Sequence, residues 1–403
     1  MHLPPPPWET PCGNVKSNKQ QKNKNYFKED YCFIKVTNLN LCFNLSTYYF
    51  SLMSSSFGNR LIAARKMAGL SLQGLADQLE GIISRQALHK YEQNLTYPNS
   101  QTLIALSRAL SVPVDFFFTE PEVSVELSGV EFRKRKRLAS STEEAIKEQC
   151  VEMLSRYLSL EKMTREEKSL HAFAYPHLIQ NVEDAGKAAE QLRVEWGLGQ
   201  DPIPNVVVML EENGYKVVEV MADKDFDGMK AFAGSVRVIV VNRSHNICRI
   251  RFTALHELAH HVLAFPNEMA ENVMERLCHS FAGAVLLPSE QAREAMNEHR
   301  FHFYLPELIL LKEYWGISIA AMFARAKNLG IINDYVYAKL NQGYRARHYH
   351  LDEPGRFSGE EKAHRFNQLL YKGLAEQIIT LNQAALLRNI TVGELRNDLD
   401  QLA

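Results

Sequence analysis

The chain has 403 residues, 46% hydrophobic and 23% charged, with a formal net charge of −1. That length allows two or three domains with their own cores. The near-neutral balance excludes a global field that draws the chain to nucleic acid or membrane, so any DNA contact must be local. Cys12, Cys32, Cys42, Cys150, Cys248 and Cys278 form no C-x-x-C pair. Their spacing suggests neither a disulfide framework nor a thiolate zinc site, and a reducing cytoplasm is the expected location. No apolar run is long enough to span a bilayer, so no membrane partner is expected.

Residues 1–52 begin with the run Pro4 to Pro7 and continue into a tract rich in Asn and Lys. The stretch Phe33 to Phe50 is apolar in places, but Lys35, Asn38, Asn40 and Asn44 interrupt it. It lacks the layout of a signal peptide. The reading is a disordered extension or a mis-assigned start, with Met53 opening the globular part.

Residues 53–120 read as a domain of five short helices. Phe57, Leu61 and Ala64 share a face, and Gly69 ends that helix. Ser71 caps a second helix with the stripe Leu72, Leu75, Ala76 and Leu79. Gly81 turns the chain, and Ser84 caps a third helix running to about Asn94. A fourth carries Leu103, Ile104, Leu106 and Leu110, and Pro113 suits the first turn of a fifth. Ala76 is small enough for two helices to cross closely, and Ile83 and Leu88 anchor the third helix. Ser84, Arg85, Gln86, His89 and Lys90 then project where base edges would lie. Arg and Gln suit guanine and adenine edges. Gln73 at the preceding helix start suits phosphate.

This block, Leu75-Ala76-x-x-Leu79-x-Gly81-Ile82-Ile83-Ser84-Arg85-Gln86-Ala87-Leu88-x-Lys90-Tyr91-Glu92, resembles the λ-repressor-like helix-turn-helix family. The resemblance implies a structural pair between Arg65 and Glu92, and operator binding as a homodimer on double-stranded DNA.

Residues 121–165 read as a basic linker and helix. Arg133 to Arg137 is the basic run, expected to be a solvated linker or a source of extra phosphate contacts. Thr142 to about Leu160 is the helix, with Ile146, Cys150, Met153, Leu154 and Tyr157 on its apolar side. Residues 166–295 follow as an α+β domain. Helices are expected over about 181–196 and 203–213, ending at Gly214. Tyr215 to Val220 and Arg237 to Val241 read as strands, with a turn at Asp227-Gly228 and a third strand over Met229 to Ala233. A peptide strand is expected to add to a sheet edge at about Val236 to Val241. Residues 296–403 are helical.

The strongest chemical signal is His256-Glu257-Leu258-Ala259-His260, inside an apolar helix from about Cys248 to Ala264. Positions i and i+4 share a helix face, so both imidazoles can meet one zinc ion, with Glu257 beside it as the base. Glu275 on the next helix is the candidate third ligand, and Glu268 and Glu271 are rivals. His261, His245, His279 and Arg251 are the candidates for oxyanion donor, although each residue type is more often found in packing or at a surface. His171 and His177 read as surface histidines.

The run from Arg251 through His260, then Glu275-x-x-x-x-x-Phe281-Ala282-x-x-x-Leu286-Leu287-Pro288, resembles the ImmA/IrrE metallo-endopeptidase family. That resemblance implies a zincin-like fold with His256, His260 and Glu275 on zinc. Glu257 would be the general base, taking a proton from water that zinc has acidified. Leu311-Lys312-x-x-Trp315-Gly316-Ile317-Ser318 with Ala324-Arg325-Ala326-x-x-Leu329-Gly330-Ile331-Ile332 resembles a helix-turn-helix-like unit that follows such peptidases. The expected fold class is therefore α-rich α+β. It comprises a five-helix repressor-like domain, a zincin-like domain with a small sheet, and a helical C-terminal region. The expected function is a sequence-specific transcription regulator whose zinc endopeptidase cuts a partner regulator such as a repressor. The alternative is a non-proteolytic regulator, of antitoxin or repressor type, whose zincin-like domain senses a metal, ligand or partner.

Overall fold

In the computed structural model, residues 57–134 and 138–400 are described, and all of them belong to the unit Ser51–Ala403. The expectations for residues 1–52 and for Arg135 to Arg137 lie outside the described residues.

Helix α1 (residues 57–67) is followed by α2 (Leu72–Gln78), α3 (Arg85–Glu92) and α4 (Ser100–Leu110). Ser71, Ser84 and Asn99 cap the last three by accepting from the backbone N–H of Gly74, Ala87 and Thr102. Phe57, Leu61, Leu75, Leu88, Leu106 and Phe117 meet in one buried cluster. Gly58 lets α1 approach the end of α3, since a Cβ there would lie 2.3 Å from the Glu92 carbonyl oxygen. The expected fifth helix is a single 3₁₀ stretch, Val114–Phe118. Pro113 and Pro121 bracket it and leave room for little more. Arg65 grips Glu92 through two hydrogen bonds of 2.6 and 3.2 Å, as expected.

The second layer is a sheet between helices. Strand β1 (Ser128–Lys134) leads into α5 (Ser140–Thr164), α6 (Val182–Glu195) and α7 (Val206–Glu212). Then come β2 (Lys216–Val220), β3 (Phe226–Ala233) and β4 (Val236–Asn242). The strand order is β1-β3-β4-β2, with β2 parallel to β4 and the other pairs antiparallel. Alternate residues face opposite sides. Val217, Ile239 and Val241 join the core shared with α8 (Ile247–Val262) and α9 (Glu271–Leu286). Val218, Val220, Val238 and Val240 meet Ile146, Cys150 and Leu154 of α5 on the other side. Both faces are covered, so these strands read as β-branched runs without polar alternation.

Two expectations about the sheet need correction. Asp227-Gly228 lies inside β3, and the turn is at Gly234-Ser235, where Gly234 has φ +59°. The strand at Val236 to Val241 is central, bonded to β3 and β2, and offers no free edge. It is flanked by the two other expected strands, β3 on one side and β2 on the other, and the edges of the sheet are β1 and β2.

After α10 (Ser289–Met296) the chain forms α11 (Leu305–Trp315), α12 (Ile319–Asn328) and α13 (Asp334–Ala346). Gly316, at φ +64°, makes the turn between α11 and α12. Trp315, Ile317, Ile319, Met322 and Phe323 pack into the same core as α6, α8 and α9. The last helices, α14 (Arg365–Ala375), α15 (Leu381–Arg388) and α16 (Val392–Asp400), close against Tyr157 and Leu160 of α5.

Candidate metal centre and nucleic-acid interface

Polar anchors at both ends fix α8. Asn246 caps it by accepting from the Arg249 N–H. Asp227 on β3 receives Arg249 at 2.7 and 2.6 Å and contacts His245 at 3.0 Å. Burial works against the charge on Asp227, but these hydrogen bonds outweigh it and hold the carboxyl well below its usual range. Two residues further along, Arg251 and Glu361 form a 2.7 Å pair with both side chains fully buried. Arg251 also donates to the carbonyls of Ile203 and Gly316 at 2.7 and 3.1 Å. At the far end, His261 Nε2 bonds the Val238 carbonyl at 3.0 Å. The helix is thus tied to β3, β4 and the α11–α12 turn before its central residues come into play.

His256 and His260 lie one turn apart on the side that faces α9. Their Nε2 atoms are 3.1 Å apart. Glu275 reaches between them, with Oε2 at 3.2 Å from His256 Nε2 and Oε1 at 3.2 Å from His260 Nε2. One ligand atom from each residue falls within 4.8 Å of the others, the one such group among the described residues. The rival acids Glu268 and Glu271 are exposed and outside it. Burial, reinforced by nearby Arg133, keeps His256 neutral well below its usual pKa, which leaves a lone pair for a metal. Burial also opposes ionisation of Glu275, but hydrogen bonds from both histidines outweigh it and keep the carboxylate charged. Two imidazole nitrogens and a carboxylate, converging with no side chain between them, fit the donor set of a zinc site with an open position.

Glu257 stands beside this group on α8. It is buried, and its Oε1 has no hydrogen-bond partner. Burial raises its pKa to about 8, against the pull of Arg133. Such a carboxyl is poised near neutrality, where a proton carrier works best.

At the other end of the unit, α3 presents Arg85, Gln86, His89 and Lys90 to solvent, with Ser84 exposed at its start. The Ser84 hydroxyl is engaged as the cap of α3, accepting from Ala87 N–H at 3.2 Å. His89 contacts Gln93 at 3.0 Å. Gln73, also exposed, donates to Asp77 at 2.8 Å. Leu88 and Ile83 are buried behind this face, so the polar residues project from a fixed helix.

Residues 61–117 match the family model described as helix-turn-helix, and residues 210–327 match the one described as IrrE N-terminal-like domain. The chain joins these two domains. It is a DNA-binding regulator with a protease-like domain. No curated protein matches the chain.

The IrrE N-terminal-like match begins at residue 210, yet residues well before it enter the site. Arg133 of β1 donates to Thr253 Oγ1 at 3.2 Å and contacts His279 Nε2 at 3.0 Å. The His279 ring lies 4.5 Å, centroid to centroid, from His256. Burial and then Arg133 lower the His279 pKa to about 4, so it receives the guanidinium as a neutral acceptor. Glu131, also on β1, places Oε2 3.8 Å from His260 Nδ1. Arg133, expected in a solvated linker or as a source of phosphate contacts, instead belongs to β1 and faces this site. Its signal was the period-two alternation of Val130 and Phe132 with Glu131 and Arg133, hidden by the charges that follow. Among the four oxyanion candidates, Arg251 is sequestered with Glu361, His245 is held by Asp227 and His261 by Val238. His279 is the one of the four whose ring packs against a candidate donor, His256.

Proposed function

We propose that the chain is a sequence-specific transcription regulator whose zinc-dependent endopeptidase domain cuts a partner regulator. The observation that carries this reading is the convergence of His256, His260 and Glu275 beside the unpartnered Glu257 Oε1. A scaffold needs no such carboxyl, because an unpaired buried polar group is costly. Zinc bound by the three donors would supply Lewis acidity, polarising a peptide carbonyl and acidifying water. Glu257 would take the proton of that water on Oε1 and pass it to the departing amine nitrogen. Arg133 lies close enough to Glu257 to oppose the effect of burial on that carboxyl. His279, adjoining the donors, would face the polarised carbonyl.

On the DNA side, Arg85, Gln86, His89 and Lys90 would read bases from α3, while Gln73 and the start of α2 meet phosphate. Ser84 would act chiefly by capping α3. A homodimer on a two-fold operator supplies the second half-site. Leu95, Tyr97 and Ile104 leave apolar surface on this unit, which supports self-association. Cleavage acts in the compartment where the regulator meets DNA, for which a cytoplasmic setting is the simplest.

The test is Glu257→Gln in a strain carrying the partner regulator. All three zinc donors remain, so metal content stays at the wild-type value. The partner regulator should persist uncut and the controlled genes should stay in their resting state. Normal induction by Glu257→Gln would favour the sensing reading over the proteolytic one.

A further inference from the structure

We propose that β1 holds the place of the substrate. On this reading the peptide to be cut is an extended segment that adds antiparallel to β3, and residues 128–134 fill that slot and keep the site closed. The inference rests on the peptidase reading above.

Strand β3 runs directly against the reacting groups. A Cβ on Gly228 would lie 2.5 Å from Thr253 Cγ2 and 3.5 Å from Glu257 Cγ, so bare backbone passes the base here. One edge of β3 is bonded to β4, and β1 takes the other. The register sets Glu131 opposite Lys230, Phe132 opposite Met229 and Arg133 opposite Gly228. An added strand in this position satisfies its own N–H and C=O groups on β3 and sends alternate side chains toward the site. Glu131 and Arg133 are those side chains, reaching His260, Thr253 and His279.

Beneath β1 the base is covered, for His256 is 0% and Glu257 1% exposed, while the Glu275 side chain on the far side is 37% exposed. A peptide carbonyl cannot reach Glu257 until something moves. β1 is suited to be that part. Its pairing with β3 is irregular between Ser128 and Glu131 and again between Arg133 and Lys134. Glu131 is largely open to solvent. The strand is also tethered to the DNA-binding helices. Ser155 and Ser159 of α5 bind the backbone of Val123, just ahead of β1. The same helix bonds α1 through Arg60–Glu152 and Lys66–Glu144. Movement of the DNA-binding helices would therefore pull on the strand that covers the site.

The experiment uses the full, zinc-loaded chain in a Glu257→Gln background, so that peptide binds without being cut. The probe is a fluorescent peptide with the sequence of residues 127–134. Phe132→Gly loosens β1, because Phe132 packs on Phe226 at 5.9 Å, away from the metal donors. Glu131→Cys with Lys230→Cys locks β1 onto β3 by a disulfide between directly paired positions. The loosened chain should bind probe at least about tenfold tighter than the unloosened one, since its own strand no longer competes as an intramolecular ligand. The locked chain should bind none until it is reduced. Backbone amides of β1 should exchange faster with solvent in the loosened chain. Equal binding by all forms, or by the oxidised and reduced locked chain, would overturn the proposal. If Phe132→Gly fails to fold, the oxidised-against-reduced comparison decides alone. Binding in the expected order, without cutting once Glu257 is restored, would leave the strand slot standing and reject the peptidase reading.

Discussion

Glu361→Ala tests how the motif helix is held. The Arg251 and Glu361 side chains are both 0% exposed and meet at 2.7 Å. Truncating Glu361 strands a buried guanidinium and also removes the acceptor for the Val207 N–H, bonded to it at 2.6 Å. Breaking one partner of a buried pair costs about 3–5 kcal/mol. With about 2 cal/mol/K of unfolding entropy per residue, a unit of this size loses about 1.4 °C of Tm per kcal/mol, so the midpoint should fall by roughly 4–7 °C. Replacing both residues with apolar ones, Arg251→Met with Glu361→Leu, removes the stranded charge. That double variant should recover part of the loss, but not all, because the carbonyls of Ile203 and Gly316 lose their donor. Urea denaturation followed by the fluorescence of Trp315, buried beside Gly316, is the assay. A loss below about 1 kcal/mol for Glu361→Ala would refute the claim that this pair anchors α8, since it falls outside the range for a buried pair.

Gly228→Ala should destabilise the chain by about 1–3 kcal/mol through overpacking. Its Cβ would meet Thr253 Cγ2 at 2.5 Å and the Val240 carbonyl at 2.8 Å; metal affinity measured by chelator competition should fall with it. Arg65→Ala breaks the two hydrogen bonds to Glu92 and should cost about 1.5–3 kcal/mol in chemical denaturation, as for hydrogen bonds to charged groups. Arg85→Ala with Gln86→Ala touches only exposed side chains and should leave stability unchanged. It should weaken specific operator binding by about 1–3 kcal/mol per base contact, read by footprinting.

What the sequence made legible follows from the range of its signals. His256, Glu257 and His260 share one helix, and Glu275 comes one helix later, so local periodicity was enough to suggest their convergence. The same holds for Ser84 as a cap and for the exposed face of α3. β1 was missed because its apolar positions, Val130 and Phe132, are few and sit against a basic run. Its strand partner also lies nearly a hundred residues on, at β3, where no local pattern reports it. The sheet edge was misplaced for the same reason, since the parallel pairing of β4 with β2 on its far side is also a non-local contact. Arg251 was a candidate donor to substrate because a cation near a motif invites that reading. Only the fold shows it turned to Glu361, which lies in a segment with no strong pattern of its own.

The most direct measurement is the metal content of the full purified chain, by elemental analysis, beside Glu257→Gln and Glu275→Ala. The wild-type chain and Glu257→Gln should each carry one zinc per chain, and Glu275→Ala should lose it under mild chelation. Wild-type protein that holds no stoichiometric zinc after growth with the metal, or a Glu275→Ala chain that keeps it as firmly, would contradict the account.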